Sequence, residues 1–132
     1  MKRIAAGIII NNGQILVCQR KKGSYYELKW EFPGGKAEEN EIIEDCLVRE
    51  LKEELNIEIS IYSLFHIQKH KYPDGFEFEI HFFNITNFSG EVHNNVFEKI
   101  EWAVMSDLES YDFLEADKDI LQMLKKRYLQ TI

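Results

Sequence analysis

Residues 41 to 55 leave little choice of local structure. Apolar side chains recur every four residues at Ile43, Leu47, Leu51 and Leu55, with Ile42 and Cys46 beside them. That period predicts a helix over 41–55 with one apolar stripe. Such a stripe has to be covered by another layer of structure. Asn56 follows, a residue that tolerates the left-handed conformation closing many helices. Most of the remaining chain has β character. Ile4 to Ile10 reads as a strand, Asn12-Gly13 as a hairpin turn with positive φ at both positions, and Ile15 to Gln19 as the return strand. Lys21 to Lys29 reads as a loop, and Trp30-Glu31-Phe32-Pro33-Gly34-Gly35 as a turn. Two β-rich runs, Ile57 to His70 and Phe76 to Ile85, flank the turn Tyr72-Pro73-Asp74-Gly75. Phe88 to Val96 reads as a loop and Ile100 to Met105 as a short strand. A last helix over Asp117 to Tyr128 places Ile120, Leu121, Leu124 and Tyr128 on one side. Strands that flank and separate two helices predict an α/β or α+β sandwich. No repeat and no Pro/Gly/Ser linker interrupts the chain, so residues 1–132 are read as a single domain.

Charge narrows the function. Lys and Arg number 16 against 23 Asp and Glu, a formal net charge of −7. An acidic chain lacks the broad basic face that holds a nucleic acid polymer or an anionic membrane. If its substrate is an anion, a cation has to come with it. The two cysteines, Cys18 and Cys46, sit among apolar neighbours and form no CxxC motif, which predicts packed, reduced thiols. The apolar run at Ile8-Ile9-Ile10 is too short for a signal or membrane-spanning segment, so a cytoplasmic protein is expected.

On the 41–55 helix, Glu50, Glu53 and Glu54 stand at i, i+3 and i+4 and project from one face within a turn. Like charges so placed repel. A solvated acidic face is one reading. A hard divalent cation is the other, because all-carboxylate ligation suits Mg²⁺ or Mn²⁺ better than Zn²⁺. Gly34-Gly35 just upstream lets backbone approach an ion or ligand closely. Arg49 can pair with Glu53 at i+4, and Glu41 is placed upstream on the same helix. His66 and His70 also show an i, i+4 spacing, but in a strand that separates them by about 13 Å; none of the four histidines is read as a ligand.

The string runs Gly35, five residues, Glu41, seven residues, then Arg49-Glu50-Leu51-Lys52-Glu53-Glu54-Leu55-Asn56-Ile57. It resembles the Nudix box of the Nudix hydrolases, with every charged position filled and Asn56 where that family carries glycine. Trp30-Glu31-Phe32-Pro33-Gly34-Gly35-Lys36 and Tyr111-Asp112-Phe113-Leu114-Glu115-Ala116-Asp117 resemble segments of MutT-type members, which hydrolyse nucleoside triphosphates. The resemblance implies a Nudix-type α/β/α sandwich with a mixed sheet. It implies Mg²⁺, with Mn²⁺ as substitute, on Glu50, Glu53 and Glu54, with the Gly34 carbonyl and Glu98 as further ligands. Glu98 stands two residues beyond Val96, where the family's additional loop glutamate would fall. The general base is one of the box glutamates, Glu50 first. Arg49 and Glu41 orient the ligands. Gly35, Phe32, Phe113 and Asp117 are expected to meet the substrate, the aromatic rings by stacking, with core packing as the alternative for both rings, and an ionised Asp117 by accepting from guanine or cytosine donors. Asp117 also reads as the cap of the last helix. Tyr25-Tyr26 either lines the substrate mouth or covers the core.

The implied reaction cleaves an oxidised guanine or a cytosine nucleoside triphosphate to monophosphate and pyrophosphate, in a monomer or weak homodimer. Two rival readings stand beside it. One is a Nudix hydrolase of ADP-ribose or a dinucleoside polyphosphate. The other is a non-catalytic nucleotide-sensing module, which usually loses box glutamates that are all present here.

Overall fold

A computed structural model describes residues 1–129, with side-chain surroundings through Arg127. The residues group into two compact units, one of Met1–Ile9 with Pro33–Asn95, the other of Ile10–Phe32 with the chain from Val96 onward.

The first unit is a sheet with one helix. Strand β1 (Lys2–Asn11) pairs antiparallel with β4 (Gly34–Lys36), placing Ala5 opposite Gly35 and Ala6 opposite Gly34. On its other side β1 runs parallel to β6 (Glu77–Ser89), from Lys2 opposite Phe78 to Ile9 opposite Ile85. Strand β5 (Glu58–Lys71) completes the sheet antiparallel to β6, with Gly75 at φ 94° in the connecting turn. The sheet is therefore mixed, as expected. Helix α1 (Ile43–Leu55) buries Cys46, Leu47, Leu51 and Leu55 completely. It approaches β1 at Gly7, where a Cβ would lie 2.8 Å from Ile85 Cδ1 and 3.1 Å from Leu51 Cδ1. Each buried leucine contributes about 1.5–3 kcal/mol of hydrophobic free energy, so this stripe fastens the helix to the sheet.

The second unit is built on β2 (Gln14–Gln19). It pairs antiparallel with β7 (Lys99–Val104) along its whole length, and with the two-residue β3 (Trp30–Glu31). The end of β1 turns into β2 through Asn12 (φ 52°) and Gly13 (φ 76°), the hairpin that Asn-Gly predicts. A 3₁₀ turn (Met105–Ser110) leads to helix α2 (Glu115–Leu129), which buries Ala116, Ile120, Leu121 and Leu124. The side chain of Tyr128, expected on the same stripe, lies outside the described residues. Both cysteines are free and buried, as the sequence predicts. Among the described residues, no helix is long and apolar enough to cross a membrane.

Several boundaries differ from expectation. Helix α1 starts at Ile43, because Ile42 is extended (φ −69°, ψ 137°) and 60% exposed, outside the apolar stripe. Glu41 accordingly precedes the helix. Helix α2 starts two residues before Asp117, which therefore stands in its first turn and is not its cap. The Trp30–Gly35 turn holds the end of one short strand and the start of another, with Pro33 between them. Strand β6 continues to Ser89. The 3₁₀ turn had no period of its own to announce it.

Asn56 closes α1 at φ 63°, ψ 25°, its amide donating to Lys52 O. A β-branched residue is costly in that conformation. Asn56→Val is expected to lose on the order of 1 kcal/mol or more of unfolding free energy, and Asn56→Gly to be neutral or slightly stabilising. Urea unfolding of the three proteins checks this; parent-like behaviour of the valine variant would contradict it.

Candidate active site

The carboxylates of α1 are arranged by two glycines and one arginine. Gly34 sits at φ 151°, and a Cβ there would overlap the Ala5 carbonyl. Its amide donates to Glu54 Oε1 at 3.0 Å, so the group this residue brings to a box glutamate is the N–H. A Cβ on Gly35 would lie 2.5 Å from the Glu50 carboxylate. Glycine at position 35 is thus the space that Glu50 occupies.

Arg49 gathers the rest. Its Nε and Nη2 donate to the two oxygens of Glu41, each at 2.8 Å, a bidentate pair. Nη1 donates to Glu50 at 2.8 Å and, more weakly, to Glu53 at 3.5 Å, while Nη2 also reaches Lys36 O at 3.3 Å. The i+4 partner expected from the helix is therefore the loosest of the three carboxylates. Hydrogen bonds from Arg49 and the Glu38 backbone hold the Glu41 carboxyl down at about 2. Arg3 Nη2 donates to Glu41 O at 2.6 Å, tying the segment ahead of α1 to β1. Burial pushes the Glu50 carboxyl up, opposed by Arg49. Burial likewise raises the Cys46 thiol to about 11, and its Sγ donates to Gly35 O at 3.5 Å.

This donor set is all oxygen and anionic, the chemistry that suits Mg²⁺. Among the described residues, no group of three or more His, Cys, Asp or Glu side chains is gathered tightly enough to hold a metal ion. The guanidinium of Arg49 is the cation the Glu41, Glu50 and Glu53 carboxylates face here.

The other expected site residues belong to the second unit. Asp117 is 6% exposed. Burial, then the charge of Glu31, raises its carboxyl to about 8, against a hydrogen bond with the Phe32 backbone. The ionised, acceptor-only Asp117 expected from the sequence is corrected: at neutral pH this carboxyl holds its proton. Glu31 was not anticipated. Its carboxyl is also raised by burial, despite Arg20 Nη1 donating to both its oxygens at 3.2 Å. A two-residue strand gives no alternation from which Glu31's inward direction could be read. Phe32 and Phe113 pack on each other with centroids 5.4 Å apart, and are 4% and 1% exposed. Of their two readings the structure shows core packing, with almost no ring face open for stacking on a base. Glu98 accepts from the Lys22 amide at 3.1 Å and donates its own amide to Gln19 O, an anchor for the loop that follows β2. Tyr25 and Tyr26 are exposed and touch edge to face, so they do not cover the core.

A buried neutral carboxyl leaves a signature in stability. Unfolded, Asp117 ionises near 3.8; folded, it keeps its proton to about 8. Its contribution is therefore complete below the unfolded value and is lost as pH rises through that interval. Asp117→Asn is expected to melt higher than the parent at pH 8, with the gap closing toward pH 4. Thermal unfolding across that range tests it; a pH-independent gap would contradict the assignment.

Residues 1–124, drawn from both units, match the family model of the NUDIX domain. The chain is 34% identical over 125 residues to the 8-oxo-dGTP diphosphatase of Escherichia coli strain K12, covering 94% of this chain and 96% of that protein. It is 31% identical over 123 residues to the CTP pyrophosphohydrolase of the same strain, covering 92% and 90%. Among solved structures, one from a study of MutT from Aliivibrio salmonicida and Vibrio cholerae matches with a TM-score of 0.82 at 30% identity, over 96% of this chain and 98% of that one. The glycine-spaced, arginine-gathered carboxylates thus stand in a chain that belongs to the NUDIX domain family and is a Nudix hydrolase.

Proposed function

We propose that this chain is a single-domain, Mg²⁺-dependent nucleoside triphosphate pyrophosphohydrolase that yields a monophosphate and pyrophosphate. The observation that carries the reading is the Arg49 cluster, which holds Glu41, Glu50 and Glu53 beside the side-chain-free Gly35. Glu50, Glu53 and Glu54 would hold the metal. When bound, Mg²⁺ supplies charge that neutralises phosphate oxygens and makes bound water more acidic. Glu50 takes a proton from the attacking water, whose oxygen bonds to phosphorus as the bond to the departing pyrophosphate breaks. Arg49 keeps Glu50 in position and Glu41 keeps Arg49 in position. Full-length similarity to an 8-oxo-dGTP diphosphatase and a CTP pyrophosphohydrolase supports an oxidised guanine or cytosine nucleotide as substrate, and with it cytoplasmic cleansing of the nucleotide pool.

Asp117 reads the base. As a neutral carboxyl it offers one donor and one acceptor, matching an edge with both, such as N4–H and N3 of cytosine or N7–H and O6 of oxidised guanine.

The test is pyrophosphate release from a panel of oxidised and ordinary triphosphates, with ADP-ribose and a dinucleoside polyphosphate included, with and without Mg²⁺. Metal-dependent release from the triphosphates is expected; preference for the other two classes would overturn the substrate assignment. Glu53 is exposed and loosely paired, so Glu53→Gln is expected to keep the fold but lower kcat by at least ~10²-fold. Near-normal turnover would remove Glu53 from the metal site. Asp117→Ala is expected to lower kcat/KM for the preferred base by roughly 10–100-fold and for poor substrates much less. An equal drop on every base would make Asp117 purely structural.

A further inference from the structure

Helix α1 ends within two residues of Glu53 and Glu54, so the carbonyls of its last turn belong to the residues that carry those carboxylates. Lys52 O accepts from the Asn56 amide. The next three carbonyls, of Glu53, Glu54 and Leu55, follow that bond, at the end of a helix where backbone acceptors lose their intrahelical donors. One short segment takes all three in order. Asn95 Nδ2 donates to Glu53 O at 2.9 Å, the Asn95 amide to Glu54 O at 3.0 Å and the His93 amide to Leu55 O at 2.9 Å. Residues 93–95 lie beyond the end of β6 and form no helix or strand of their own.

The Asn95 carboxamide is held in one orientation. Its Oδ1 lies 2.8 Å from His93 Nδ1. An amide oxygen only accepts, so Nδ1 carries the hydrogen and donates it. That leaves Nδ2 for Glu53 O, with a longer contact to Asn56 Oδ1 at 3.5 Å.

These bonds lie at the surface, where water satisfies a helix-end carbonyl as well as a side chain does. What water does not supply is a fixed place for the turn. The two glutamates differ in how much they need one. Glu54 is held by its carboxylate, which accepts from the Gly34 amide at 3.0 Å. The Glu53 side chain is 58% exposed and reaches Arg49 only at 3.5 Å. Its backbone is the firmer of its restraints, and its carbonyl is the one that receives a side-chain bond.

We propose that Asn95 is a positioning residue for the metal site, its carboxamide fixing the Glu53 backbone and thereby the place of the Glu53 carboxylate. His93 serves it by orienting the amide. The inference rests on the reading of Glu50, Glu53 and Glu54 as metal ligands, and it brings to that site a residue from outside the helix.

Mn²⁺ binding to the nucleotide-free full chain, read from the loss of the free-ion electron paramagnetic resonance signal, tests this without turnover. Asn95→Ala, and Asn95→Leu, which keeps the bulk, are each expected to raise the Mn²⁺ Kd about tenfold. The melting temperature is expected to stay within about 5 °C of the parent, since an exposed hydrogen bond adds little to stability. Glu53→Gln is the reference. Combined with it, Asn95→Ala is expected to add no more than about twofold, because the carboxamide acts through Glu53. If Glu53→Gln weakens Mn²⁺ while both Asn95 variants bind it like the parent, the inference is overturned and the metal reading stands, Asn95 being a helix cap and no more. A full loss from Asn95→Ala on top of Glu53→Gln overturns it too. If Glu53→Gln itself binds Mn²⁺ like the parent, the assignment of Glu53 to the metal falls first, and the inference with it.

Discussion

The bond between Arg49 and its carboxylates is the constraint on which the first unit's chemistry depends. Glutamates crowded into one turn of α1 repel one another, and the helix keeps them because a planar, permanently charged fork reaches two sides at once. The bidentate half fastens Glu41, whose carbonyl accepts from Arg3 and whose carboxylate also accepts from the Glu38 amide. The other half holds Glu50 where only a glycine leaves room for it. A lysine would match the charge but not the fork, so the arrangement is one of shape as much as of electrostatics.

The two units treat two of their carboxyls in opposite ways. Glu41 is kept ionised by direct hydrogen bonds from a cation. Asp117 is kept neutral by the absence of water and the nearness of Glu31, whose own cation, Arg20, is engaged. The same kind of side chain thereby stands once as a fixed anion and once as a neutral acid.

Much of this was legible in the residues. The four-residue apolar repeat of α1, the Asn-Gly hairpin and the left-handed Asn56 are local effects, and the chain obeys them. The box glutamates and Arg49 follow from spacing on one helix. What escaped are features set by tertiary packing. Glu31 lies on a strand too short to show a period. The inward turn of Phe32 and Phe113, and the proton on Asp117, depend on burial that no local pattern reports. The register slips between β5 and β6 depend on bulges that no local pattern announces.

Both thiols, Cys18 and Cys46, are wholly enclosed, and the second is further disarmed by its raised ionisation. The folded protein is consequently expected to resist alkylating reagents. A single cysteine placed on its surface would be the one reactive thiol in the molecule, so a fluorophore or spin label can be attached at a chosen position without first removing either native residue.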